Sequence, residues 1–383
     1  IQSIDVVDFS GTEGASSFHR LEDVELDVQA YELHAGSDGG AIGVSEEGGE
    51  GDDEESIPQL NILALPSETL KGIWESLIFA TPIHSKLLRF TTRMMSISRK
   101  QFLNSAALNW NRLIMLHGPP GSGKTSLCRA LAQKLTIRLG RFFTTGKLVE
   151  INSQSLLSKW FGESGKLVSK TFDRIQSLSD DETTIVCVLI DEVESLTASR
   201  EKSATGNECG DAMRATNQLL TGLDRLRHRP NVIVLCTSNL VMAIDSAFLD
   251  RVDVKQFVPN PEPRAVYEIL RSCLNELIRC EIITTTGHQE QVSPTSDSAT
   301  DDSYPDSSFV LVDQASIPSF AEMNVHLWDQ PNSPAMRLWN IAQKCESMSG
   351  RSLRRLPALA LAMHTFSDPC SIYEALEALS VEV

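Results

Sequence analysis

The rhythm of apolar and polar positions changes along the chain, and each change predicts a different element. Residues 21–34, LEDVELDVQAYELH, alternate, with Val24, Leu26, Val28 and Ala30 on one side, the period of a half-buried strand. From Ile62 the spacing becomes helical, through ETLKGIWESLI and SKLLRFTTRMM. The run RLIMLHG (112–118) is apolar throughout and predicts a buried strand, which passes through a glycine-rich turn into the helix TSLCRALAQKL. Three further short apolar runs, KLVEIN (147–152), TIVCVLID (184–191) and NVIVLCTSN (231–239), end in polar residues and are separated by helical stretches. Apolar strands alternating with helices predict an α/β fold, a parallel sheet flanked by helices on both faces. Beyond Pro259 no further strand is expected. PRAVYEILRSCLNELIRC and WNIAQKCESMSGRSLRRLPALALAMH are helical, and the Ser, Thr and Asp-rich stretch 284–308 reads as a loop insertion. The expected divisions are a small β-containing N-terminal element (1–45), a linker (46–58), a large α/β domain (59–260) and a small helical domain (261–383).

Composition narrows the choice. A chain of 383 residues is long enough for two or three domains with real cores. Its net charge is −17, and residues 46–55, EEGGEGDDEE, hold seven acids in ten positions, which reads as a solvated linker. So acidic a surface disfavours nucleic acid or an anionic membrane as the main partner, while leaving room for a local basic patch. The eight cysteines (128, 187, 209, 236, 273, 280, 345 and 370) form no C-x-x-C pair and read as reduced core thiols, pointing to cytosol or nucleus. No apolar run approaches the ~20 residues of a membrane span. IQSIDVVDFS lacks the order of a signal peptide, and the chain begins without Met, as a truncated one would.

The chemistry lies where strands end. Gly118, Gly123, Lys124 and Thr125 meet the P-loop spacing G-x-x-x-x-G-K-[ST], so the loop Gly118, Pro119, Pro120, Gly121, Ser122, Gly123, Lys124, Thr125 and Ser126 is the candidate nucleotide-binding segment. Backbone N–H groups would wrap phosphates, Lys124 would reach the β/γ oxygens, and Thr125 could ligate Mg²⁺. TIVCVLID delivers Asp191 to the metal, with Glu192 beside it as the carboxylate able to orient or deprotonate an attacking water. Asn239, at the end of NVIVLCTSN, could hold that water or the γ-phosphate; a strand cap is the alternative. Arg251, in AIDSAFLDRVD, is either a surface ion pair or a cation presented to another subunit's phosphate. Arg351, opening the helix SGRSLRRLP, is either surface charge or a cation brought to the γ-phosphate by a closing lid. In LSKWFGESGK, Trp160, Phe161 and Gly162 read either as core or as a mobile aromatic loop.

In this order and spacing the residues resemble the AAA+ ATPases. LHGPPGSGKTSLCRALAQKLTIRL, SKWFGESGKLV, VLIDEVESLTASR and SGRSLRRLP are similar to the pachytene checkpoint protein 2 family, also called thyroid receptor-interacting protein 13, over roughly 60–383. The resemblance implies an ATP- and Mg²⁺-dependent homo-hexamer with a C-terminal helical lid. It further implies an unfoldase of HORMA-domain proteins, served by a HORMA-fold adaptor in spindle checkpoint and meiotic chromosome regulation. Its implied locations are nucleus and cytoplasm, with chromosomes or kinetochores. Asn239 becomes the polar sensor, Arg251 the arginine finger, Arg351 the lid sensor and Trp160-Phe161-Gly162 the channel loop, with 200–210 as a second, polar channel loop. Asp253 departs from the wider superfamily, which often carries a second arginine there, and the 284–308 insertion is longer than usual. An AAA+ loader or initiator acting on DNA is the alternative, disfavoured by net charge and by the aromatic loop. A non-catalytic ATP-gated scaffold would have no use for Glu192.

Overall fold

In the computed structural model the described residues are 30–35, 60–100, 110–153, 164–197, 208–285, 316–327 and 329–383. The alternating stretch 21–29, the acidic run, Trp160-Phe161-Gly162, residues 198–207 and the core of the 284–308 insertion lie outside them. The chain divides into two compact units. One runs to Pro259 apart from Ile78–Ala80, and the other comprises Ile78–Ala80 with Asn260–Val383.

The larger unit is built on six strands: β1 (Asn61–Leu65), β2 (Leu113–His117), β3 (Thr145–Asn152), β4 (Thr184–Asp191), β5 (Val232–Ser238) and β6 (Val254–Phe257). Their spatial order is β1-β3-β4-β5-β2-β6. All neighbours are parallel except β1, which runs antiparallel to β3. The runs KLVEIN, TIVCVLID and NVIVLCTSN become β3, β4 and β5, and β5 and the first seven residues of β4 are wholly buried, as a strand covered on both faces requires. On one face Met115, Val149, Val188 and Val234 pack with α4 (Ser164–Leu178) and α5 (Glu208–Leu226), through Phe172, Ile175, Leu219 and Leu223. Alternate residues such as Ile114, Leu116, Cys187 and Leu235 point the other way. There α3 (Lys124–Arg138) contacts β3, β4 and β5. Before the sheet's second strand come α1 (Ile73–Ser76) and α2 (Ile83–Ser98), and α2 lies against α3.

Two expectations are corrected here. ETLKGIWESLI is not one helix: a 3₁₀ turn at Glu68–Leu70 and the single turn α1 are separated by Gly72, whose left-handed backbone (φ 76°) ends any continuous run. Strands β1 and β6 were not expected, and both are short edge strands; β6 has the half-exposed alternation of an edge rather than an apolar run.

The smaller unit packs α7 (Pro263–Arg279), α8 (Phe320–His326), α9 (Pro334–Lys344), α10 (Gly350–His364) and α11 (Ile372–Glu382) around Tyr267, Leu270, Leu338, Leu353 and Leu379. Strands do continue beyond Pro259: β7 (Ile283–Thr284) pairs in parallel with β8 (Cys370–Ser371). Two residues carry no readable period, so only the tertiary pairing of Ile283 with Cys370 reveals them. Ser319, Ser333, Ser349 and Ser371 each cap a helix here, accepting a backbone N–H of its first turn. No helix among the described residues is long and apolar enough to cross a membrane.

Candidate functional site

The site forms at the carboxyl ends of β2, β4 and β5, because β5 lies between the other two. The loop after β2 is pinned from both sides. Gly118 N–H donates to Ser238 O (3.2 Å) and Val258 N–H to His117 O (2.8 Å). A Cβ on Gly118 would lie 2.3 Å from Val258 O, a backbone atom unable to step aside. Gly118→Ala is therefore expected to push the loop off its seat, an overpacking worth about 1–3 kcal/mol. A lower melting temperature with weakened binding of a fluorescent ATP analogue checks this. Gly123, left-handed at φ 94°, turns the chain into α3, so the N–H groups of the helix's first turn open toward the loop.

Lys124 is 6% exposed, and its Nζ donates to Gly118 O (3.0 Å) and Pro119 O (2.7 Å). A buried ammonium held by two loop carbonyls stands where a phosphate could take over as partner. The Ser122 hydroxyl in the same loop is buried without a hydrogen-bond partner. An orphan donor, left-handed glycines and a buried lysine fit a polyphosphate. His117, at the loop's entrance, packs on Phe257 with ring centroids 5.4 Å apart. Burial, reinforced by the Lys124 charge, pushes its imidazole below the usual range.

The acidic end of β4 joins this loop. Thr125 Oγ1 donates to Asp191 Oδ1 at 2.9 Å, so the two candidate metal ligands already face one another. Hard oxygen donors from a hydroxyl and a carboxylate suit Mg²⁺. Thr237, 2% exposed on β5, donates to the same Asp191 oxygen and accepts the Glu192 N–H at 3.1 Å. Glu192 has a left-handed backbone (φ 53°), rare for a non-glycine residue, and the Thr237 hydroxyl holds its amide there. Glu194 Oε1 accepts the Asn239 N–H at 2.9 Å and so fixes the residue after β5. A cleft of about 400 Å³ borders Asp191 and Glu192, walled by Asn152 and by Arg129, whose guanidinium grips Glu150 at 2.6 and 3.1 Å.

Thr237 and Glu194 were missed in the sequence. One hydroxyl inside VIVLCTSN reads as strand filler, and Glu194 reads as a third acid after two better-placed ones. Thr237→Val, similar in shape but without the hydroxyl, is expected to lower turnover about 10–100-fold, as loss of a hydrogen bond behind a metal ligand does elsewhere. Steady-state kinetics with a matched thermal melt would show kcat falling while the fold persists.

Arg251 follows α6 (Ser246–Asp250) and makes a two-pronged pair with Asp224 of α5, Nε–Oδ1 and Nη2–Oδ2 both 2.9 Å, while Nη1 donates to Ala247 O. The pairing holds the Asp224 carboxyl below its ordinary range. Asp253 accepts the N–H groups of Asn111 and Leu113, and Asn111 Nδ2 donates to Arg251 O (2.8 Å). At this departure from the superfamily pattern, then, a carboxylate ties the segment bearing Arg251 to the start of β2. Arg351 is exposed in the first turn of α10, in the smaller unit. The structure thus gathers the loop, Thr125, Asp191, Glu192 and Asn239, and leaves Arg251 bonded to Asp224.

A glycine-rich loop with a buried lysine, facing a threonine–aspartate pair with a glutamate beside it, defines a P-loop ATPase. The AAA family profile (ATPase family associated with various cellular activities) matches residues 114–260, and the TRIP13-like AAA+ ATPase lid C-terminal domain matches 262–383. The Xenopus tropicalis pachytene checkpoint protein 2 homolog is 43% identical over 332 residues, 87% of this chain and 71% of the relative. The solved C. elegans PCH-2 structure is similar with a TM-score of 0.69 and 32% identity, covering 94% of this chain and 81% of that one. A chain from the E. coli MS115-1 HORMA:CdnC:Trip13 complex shares the fold at a TM-score of 0.57 and 17% identity, covering 83% and 93%. The chain belongs to the pachytene checkpoint protein 2 family. It is an AAA+ ATPase that binds nucleotide and ends in a helical lid domain.

Proposed function

We propose that this ATPase works as a hexameric ring that uses ATP hydrolysis to unfold part of HORMA-domain proteins, with a HORMA-fold adaptor presenting them, in spindle checkpoint and meiotic chromosome control within nucleus and cytoplasm. The observation that carries this reading is the match of residues 262–383 to the TRIP13-like lid, because the P-loop portion is common to AAA+ proteins of many functions. The fold shared with a chain of the HORMA:CdnC:Trip13 complex supports the substrate class.

In this reading Lys124 and the loop amides hold the phosphates, while Thr125 and Asp191 hold Mg²⁺. Bound Mg²⁺ would offset charge on the phosphate oxygens. Glu192 orients and deprotonates the attacking water, Asn239 positions it, Arg251 serves the neighbouring subunit's site, and Arg351 serves the γ-phosphate from the lid. Trp160, Phe161 and Gly162 grip the substrate in the channel, because aromatics hold an extended chain with little regard to its sequence.

Trp160→Ala is therefore expected to leave the melting temperature and basal ATP hydrolysis intact while abolishing ATP-dependent remodelling of a labelled HORMA protein. A core tryptophan would instead cost about 3–5 kcal/mol, and all three measurements would fall together. A variant that remodels normally would remove the gripping role.

A further inference from the structure

The strongest unexplained feature lies away from the nucleotide, on α2. Between Ile83 and Lys100 there is no acidic residue. Ile83, Leu87, Leu88, Thr91, Met94 and Met95 are buried. Lys86, Arg89 and Arg93, spaced i, i+3 and i+7, are exposed on another face with Phe90, which is 42% exposed, and the exposed Arg99 and Lys100 follow at the helix's C-terminal end. Arg99 lies over the rings of Phe143 (4.6 Å) and Phe142 (5.7 Å), and Arg141 over Phe142 (4.7 Å), which extends the basic surface beyond the helix. Among the described residues none of these cations is in an ion pair. Like charges at these spacings repel, and Lys86 stands in the first turn, where the helix dipole disfavours a cation. A stripe so unfavourable by itself, in a chain of net charge −17, calls for an anionic partner.

We propose that this face docks the acidic run 46–55 of the same chain. The run supplies seven carboxylates in ten residues. Glu55 stands five residues before Leu60 and Glu46 fourteen, so at about 3.3–3.6 Å per residue the run reaches about 17–50 Å from the start of the sheet. Both β1 and α2 contact α3, and at about 8–10 Å between packed axes they lie within roughly 20 Å of each other, inside the reach of the run. A tether this short keeps the run at roughly millimolar effective concentration around the stripe, enough for several weak charge pairs to hold together. Nucleic acid would meet the same cations, but only after displacing a tethered anion and against the repulsion of the remaining surface. The docked run would shield the stripe from other polyanions and set the direction in which residues 1–45 leave the ATPase unit.

Carbodiimide cross-linking of the full chain tests this, since it joins a carboxylate to a lysine amine only in direct contact. In rings reassembled from an equal mixture of ¹⁵N-labelled and unlabelled subunits, Lys86 and Lys100 are expected to link to peptides from 46–55 of the same isotope. Those links should vanish near 1 M salt, where the Debye length is about 3 Å. They should also vanish in Arg89→Glu/Arg93→Glu, which keeps both lysines. Neutralising the run (Glu→Gln, Asp→Asn) should leave basal ATPase and melting temperature unchanged while moving elution from heparin to higher salt. Absence of these links, links only between isotopes (a second copy as occupant), or tight duplex DNA binding by the intact chain at physiological salt would each overturn the proposal.

Discussion

Replacing Arg251 with alanine is expected to lower ATP turnover by about 10³–10⁵-fold, the range by which an arginine finger accelerates well-studied NTPases. The structure makes this a sharp test, because Arg251 already has a partner. Its two-pronged bond to Asp224 holds the guanidinium at the surface of the larger unit, with 27% of the side chain exposed. Were that pair the whole of its role, Arg251→Ala and Asp224→Asn would have the same small effect, about 0–1 kcal/mol of stability. If Arg251 serves a neighbouring site, the arginine variant alone should lose turnover so steeply, and the Asp224 variant should keep most of it. Mixing Arg251→Ala with Lys124→Ala subunits should restore part of the activity, since some boundaries then join an intact loop to an intact finger. Confirmed hybrid rings without rescue at any ratio would exclude action across a boundary.

The contrast between Arg251 and the P-loop shows what a linear sequence reveals about this protein. Gly118 to Ser126 could be read directly because phosphate binding needs contiguous backbone, so motif and site coincide. Asp191 and Glu192 were legible for a related reason: a run of six apolar residues followed by two acids marks a buried parallel strand delivering carboxylates to its exposed end. Asp224 was not legible as the partner of Arg251. It lies 27 residues earlier on another helix, and only the packing of α5 beside the sheet brings the two together. Thr237 was hidden differently, since its importance comes from bridging Asp191 and the Glu192 amide, a relation set by the β4–β5 pairing. Edge strand β6 escaped because its alternate burial leaves little apolar signal, β1 because the five-residue, mainly apolar run NILAL is too short for its period to separate strand from helix, and β7 and β8 because two residues have no period. Local chemistry was visible in the sequence, and second partners supplied by tertiary pairing were not.

The same pairing makes the second large effect specific. Glu192→Gln is expected to bind ATP as well as the unaltered protein and to hydrolyse it about 10²–10⁴-fold more slowly, the usual contribution of a positioned general base. Glutamine matches glutamate in shape, and the contact that holds residue 192 in its left-handed backbone uses the main-chain N–H with Thr237, so the substitution leaves the loop where it is. What it removes is a carboxylate able to take a proton from water as the transition state forms. Lys124→Ala should behave oppositely. It deletes a cation that meets ground-state phosphates and leaves the carbonyls of Gly118 and Pro119 without their donor, so binding itself should fail. Equilibrium titration with a fluorescent ATP analogue, paired with single-turnover hydrolysis, separates the two: tight binding with slow chemistry for Glu192→Gln, and no saturable binding for Lys124→Ala. Hydrolysis at the normal rate by the Glu192 variant would show that another group activates the water, with Glu194, whose buried Oε2 has no hydrogen-bond partner, the next carboxylate along the chain to examine.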